Sequence, residues 1–180
     1  MDSTRRPNRI DSFFVNSYSK YLFYMNEPIL SNYYLHKQII RFCWDRSFKP
    51  SVILRFENRE DGIYLTEKES YLIYDSLQNN QGKTIMYYPS KYNRKTWERK
   101  ITDFSWSNFT NMLEECGFYT MNPNEFSSGL DGSYWNLEVH DSDYYKIVTR
   151  WSPTSTEYPE FFKLGNYLID HSRYAKAQRY

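Results

Sequence analysis

Cysteine, glycine and proline are scarce in this chain: two, six and seven among 180 residues. Cys43 and Cys116 stand far apart and form no Cys-x-x-Cys pair. That excludes a disulfide framework and a zinc-ribbon pattern, and it favours two reduced thiols in a cytoplasmic protein. Few glycines leave little for a phosphate cradle. Neither a G-x-S-x-G nor a G-x-G-x-x-G motif occurs. Gln81-Gly82-Lys83-Thr84 ends like a P-loop, but Leu77 stands where the earlier glycine belongs. Histidine is rarer still: His36, His140 and His171 share no ligand spacing, so neither a metal nor any other cofactor is expected. Charge of one sign is also lacking. Lys and Arg number 23 against 22 Asp and Glu, which excludes a chain-wide polybasic or polyacidic character. No apolar run approaches the ~20 residues of a membrane span. No apolar stretch follows the cations of residues 1–9, so no secretory leader is expected. Adjacent carboxylates such as Glu114-Glu115 point apart on a helix, so no catalytic residue is nominated.

Rings are abundant. With 19 Tyr, 12 Phe and 5 Trp, aromatics make up 20% of the chain. Each buried ring removes about 150–250 Å² from water, so rings can supply a core that scarce aliphatics do not.

Periodicity divides the chain. Phe14, Tyr18, Tyr21, Leu22 and Met25 recur at helical offsets over 12–26, and Pro28 ends that helix. Its aromatic stripe docks either on its own domain or on a partner. Ser31 suits the N-cap of a second helix, which would carry Tyr34, Leu35, Ile39, Phe42 and Cys43. Residues 51–68 read as an antiparallel hairpin, with Val52, Leu54 and Phe56 on one face and Asp61-Gly62 at the turn. Residues 84–88 and 94–101 carry further strand character, after a turn at 79–82. A helix over about 103–116, capped by Thr102, presents Trp106, Phe109, Leu113 and Cys116, and Gly117 suits its left-handed end. A second hairpin joins 134–139 to 144–151. A last helix begins near Thr156, with Pro159 in its first turn.

Grouped, hairpin-linked strands predict an α+β fold. We expect a single domain with an antiparallel sheet of four to six strands and helices packed on one face. Residues 1–30 form an N-terminal extension, 31–174 the α+β domain and 175–180 a tail.

The second hairpin holds the constellation with most content. If His140 faces Asp143, then Ser133 opposes Arg150 and Asp131 lies just beyond that pair. Trp135, Leu137, Val148 and Arg150 share one face; Glu138 and Tyr145 share the other. With Trp135 inward, Arg150 is drawn to the core edge and needs an anion, for which Asp131 is nearest. The pair either pins a loop to a strand or leaves Arg150 to grip a ligand's carboxylate or phosphate.

Gly129-Leu-Asp-Gly132, Trp135-x-Leu-Glu138, Tyr145 and Arg150-Trp-Ser-Pro153, together with Arg41-Phe-Cys-Trp44, Arg46-Ser-Phe48 and Arg55, resemble a group of small bacterial proteins with a GLDG-x-x-W-x-LE … RWSP pattern. The resemblance spans about residues 31–170. It implies a recurring fold with Asp131, Trp135, Glu138, Arg150 and Trp151 at motif positions, and it implies no reaction.

Two binding classes remain. Tyr, Trp and Arg are favoured interface anchors, which suits a non-enzymatic protein acting through a protein partner, such as an inhibitor, immunity-type or adaptor protein. Alternatively, Lys91, Arg94, Lys95, Trp97 and Arg99 interleave cations with rings in 83–100, as backbone neutralisation and base stacking by a nucleic-acid-binding protein would use. A small enzyme with an unrecognised site is a third class.

Overall fold

A computed structural model of the chain describes residues 9–31, 35–125, 129, 131–141 and 144–179, with the backbone alone for 9–15, 72–75 and 85–92. Three helices, α1 (Arg9–Tyr24), α2 (Trp106–Glu115) and α3 (Pro159–Asp170), accompany six strands: β1 (Gln38–Arg46), β2 (Ser51–Arg59), β3 (Gly62–Gln78), β4 (Thr84–Ile101), β5 (Ser133–Asp141) and β6 (Tyr144–Trp151). The strands form one antiparallel sheet in the order β4-β3-β2-β1-β5-β6. β1 to β4 are a meander. The chain then passes through α2 to the far side of β1, where β5 and β6 complete the sheet. The architecture is the α+β class that grouped strands predict.

One face carries the apolar core. Ile40, Phe42 and Trp44 of β1, Val52, Leu54 and Phe56 of β2, and Trp135 and Leu137 of β5 pack with Phe109 and Leu113 of α2 and Phe161, Leu164 and Leu168 of α3. Burying a side chain such as Phe42 or Leu164 contributes about 1.5–3 kcal/mol. Trp135 meets Phe42 edge-on at 5.2 Å and stacks on Phe162 at 5.7 Å, and its indole N–H donates to Ser133. The opposite face receives α1. Tyr18, Tyr21 and Leu22 pack there with Met25, Cys43 and Ile53, so the N-terminal helix docks on its own sheet.

Local signals account for most boundaries. Ser105, rather than Thr102, caps α2 by accepting from the Asn108 N–H, and Gly117 follows the helix at φ 64°. Pro159 opens α3. Glu60 and Asp61 form the two-residue link between β2 and β3, with Gly62 at φ 138°.

The part of the expected helix that carries Ile39, Phe42 and Cys43 is instead β1. This strand is central, and Ile39, Ile40, Phe42, Cys43 and Trp44 are all buried. A strand covered on both faces loses its period-two alternation, so its apolar residues fall at helix-like intervals. Tyr34, the first residue of that expected helix, lies outside the described residues. The separate strands expected at 84–88 and 94–101 are one strand, β4, which pairs with β3 as far as Gln78↔Thr84. Because β2 leaves β3 at Ser70, residues 71–78 and 84–93 run on as a two-stranded arm. Pro89 sits at its bulge on an edge strand, a place that tolerates a residue without an N–H.

Candidate functional site: a buried ionic cluster on the sheet

Strand alternation places Glu138 of β5, Arg41 of β1, Arg55 of β2, Thr66 of β3 and Glu98 of β4 in one cross-strand row on the α1 face. Such a row brings opposite charges together on adjacent strands. Arg41 Nε donates to Glu138 Oε1 at 2.8 Å and Nη2 to Oε2 at 2.7 Å, with both side chains about 1% exposed. The hydroxyls of Tyr18 and Tyr145 also donate to Glu138. Arg55 lies 2.8 Å from Glu57, which also pairs with Arg59, and Arg59 in turn holds Glu98. Bonds from Arg59 and Thr66 keep the Glu98 carboxyl below its ordinary value.

One carboxylate in this cluster does not come from the sheet. Glu27, in the turn after α1, has its side chain fully buried. Its Oε1 lies 2.5 Å from Lys68 Nζ and 3.0 Å from Arg55 Nη1, and its Oε2 lies 3.3 Å from Arg41 Nη1. The same turn presents main-chain carbonyls. Lys68 donates to those of Met25 and Asn26, and Arg41 to that of Pro28. Asn26 holds a left-handed φ of 51°, which aims these groups at the sheet. Burial lowers the Lys68 ammonium from its ordinary value, while Glu27 opposes that shift.

His140, in the next row of the same face, is 1% exposed, and neither ring nitrogen has a hydrogen-bond partner among the described residues. Burial pushes the Cys43 thiol up, out of the range of a reactive thiolate, and its sulfur lies 3.1 Å from the Tyr18 hydroxyl oxygen. Among the described residues, no three His, Cys, Asp or Glu side chains gather as a metal site. A cleft of about 130 Å³ between α2 and the sheet, lined by Trp106, Leu113, Tyr119, Val139 and Tyr144, is below the ~300 Å³ of a small-molecule site.

Trp135 and Arg150 are buried as the sequence led us to expect, but Arg150 is not held by Asp131, which is exposed. Trp135 faces Arg150, and Leu137 faces Val148: the register is two residues from the one assumed. A shift of two preserves which residues share a face but moves Arg150 away from the 129–132 loop. Its guanidinium turns to the segment that runs beside β6, where Asn124 bridges Thr149. It donates to the Asn122 and Thr149 carbonyls and lies 3.5 Å from Glu125. Trp151 packs edge-on with Tyr134 at 4.6 Å, and its ring fills the space a Cβ at Gly132 would take.

Nor do the basic residues of β4 make one surface. Arg94 points to the α1 face and donates to the Tyr24 carbonyl. Lys95, Trp97 and Arg99 lie on the opposite face. Lys95 sits 5.1 Å from the Tyr71 ring, Arg173 covers Trp97 at 3.6 Å, and Arg99 donates to the His171 carbonyl. The Lys91 side chain is outside the described residues. Sequence reasoning missed Glu27 and Lys68, and no local signal marks either: one is a charged residue at a helix exit, the other a lysine in a polar strand. Arg41 is picked out by the resemblance alone, whereas strand alternation also places Glu138 on one face with Tyr145, as their hydrogen bond bears out; the sheet brings the two blocks together.

No protein-family model matches the chain, and no curated protein matches it. No helix among the described residues is long and apolar enough to cross a membrane.

Proposed function

We propose that this is a binding protein without chemistry of its own, acting through contact with a protein partner. One observation carries the reading. Phe23 is 79% and Tyr24 52% exposed at the end of α1, and Arg94 reaches them from the root of the β3–β4 arm. Exposed rings beside a guanidinium are favoured interface anchors, because they bury much area with few rotors. Ile29, also exposed, widens the patch. The division of the β4 cations between two faces, with Trp97 already covered, favours a protein partner over a nucleic acid. Both cysteines are free and buried, which supports a reducing, cytoplasmic setting.

The test compares the chain with its Phe23→Ala/Tyr24→Ala variant, both tagged, in lysate of the source cells. At equal thermal stability, the reading expects one protein retained by the parent and lost by the variant. It also expects the purified pair to bind with at least tenfold weaker affinity for the variant. Identical retention by both forms overturns it. A salt-dependent mobility shift with nucleic acid that Lys95→Ala/Arg99→Ala abolishes would replace it with the nucleic-acid reading.

A further inference from the structure

The charges on the α1 face do not balance within the sheet. Arg41 is answered by Glu138, and Arg55 by Glu57. Lys68 differs: every oxygen it meets among the described residues, Glu27 Oε1 and the carbonyls of Met25 and Asn26, belongs to the turn after α1. Without that turn, the Lys68 ammonium would stand unanswered beside the Nη1 groups of Arg41 and Arg55, with Glu138 and Glu57 left only on the far sides of the two guanidiniums. One Nη1 from each of two guanidiniums and a point cation, held on a rigid sheet, suit a compact oxyanion. The bound carboxylate is itself part of the chain. It sits on a turn whose neighbours Phe23 and Ile29 are 79% and 73% exposed, and which meets the sheet through charged groups and carbonyls as well as through Met25.

We infer that Arg41, Arg55 and Lys68 form an oxyanion-binding site, that Glu27 is its tethered stand-in, and that an external carboxylate or phosphate group takes the site when the 23–30 turn lifts. The inference is independent of the partner-binding reading: the patch of Phe23 and Tyr24 can bind a protein whether or not the turn moves. An intramolecular carboxylate competes at high effective concentration, so the site in the intact chain answers only to a ligand that is concentrated or otherwise held nearby.

The test uses the full chain with Glu27→Gln, which keeps the shape of the side chain and removes its charge. Unfolding temperature is followed against inorganic phosphate and against acetate, each matched in ionic strength with chloride. A saturable rise of about 2–4 °C at roughly fourfold the dissociation constant is expected in the variant, much less in the parent, and none in Glu27→Gln/Lys68→Met. A response to phosphate alone assigns the site to phosphate-bearing ligands, and a response to acetate as well extends it to carboxylates. Equal shifts in parent and variant, or none in either, overturn the inference. Should Glu27→Gln not fold, amide exchange of the parent decides. High phosphate then accelerates exchange at 16–31 while the sheet stays protected, and unchanged exchange there overturns the inference.

Discussion

The Glu138 carboxylate accepts from Arg41 Nε, Arg41 Nη2, the Tyr18 hydroxyl and the Tyr145 hydroxyl, with no water route to replace them. A buried ion pair adds little net stability over an apolar pair of the same size, but removing one member strands the other. Arg41→Ala therefore costs about 3–5 kcal/mol. Arg150→Ala makes a useful contrast. Its carboxylate partner, Glu125, is 42% exposed and returns to water when the guanidinium goes. What remains lost are the bonds to the Asn122 and Thr149 carbonyls and the packing on Tyr158 and Phe161, worth about 1–3 kcal/mol. Urea unfolding of both variants checks the order. An Arg150→Ala loss equal to or above that of Arg41→Ala contradicts it.

Among the elements, α3 approaches the sheet more closely than its propensities suggest, because Gly165 lies directly over Trp135. A Cβ there would come within 2.4 Å of the indole and 3.1 Å of Phe42. Alanine normally stabilises a helix interior over glycine by about 1 kcal/mol. Here Gly165→Ala instead costs about 1–3 kcal/mol, because a closely packed indole cannot move aside. A gain in thermal stability would show that α3 can lift off. The elements also differ in how legible they were. α2 and α3 each bury one apolar face, and β5 alternates apolar Trp135, Leu137 and Val139 with polar Asn136, Glu138 and His140, so these elements announce their periods although β5 is buried on both faces. β1 buries two faces and reads as a helix. At the far end of the β3–β4 arm Ser76, Leu77 and Gln78 are exposed, so burial does not enforce alternation there and the strands cannot be joined from sequence. The buried cluster was illegible for a different reason. Glu27, Arg41, Lys68 and Glu138 are spread over more than a hundred residues, and charged side chains are read by default as surface.

Across the whole molecule, the sheet separates an apolar layer from an ionisable one, and this separation sets its response to pH. Burial raises the hydroxyls of Tyr18, Tyr21, Tyr145 and Tyr174 and the thiols of Cys43 and Cys116 above their ordinary values. In the unfolded chain the thiols release protons near ~8.5 and the phenols near ~10. Above those values the folded state binds more protons than the unfolded one, so stability falls as pH rises. Burial lowers Lys68 and Lys146, which act in the opposite sense, since the unfolded chain keeps their protons longer and stability gains as pH rises toward ~10.4. Tyr119 and Tyr144 are raised by burial as well, so two lysines face six phenols and two thiols and the net slope is downward. The urea midpoint is therefore constant to about pH 8.5, then declines, and declines more steeply beyond about 10. Cys43→Ala shrinks the first part of the decline and leaves the second. Urea titrations of both forms between pH 7 and 10.5 decide the matter: a level midpoint throughout, or an unaltered profile in Cys43→Ala, would mean that the α1 face admits water and that the buried ionic layer opens without global unfolding.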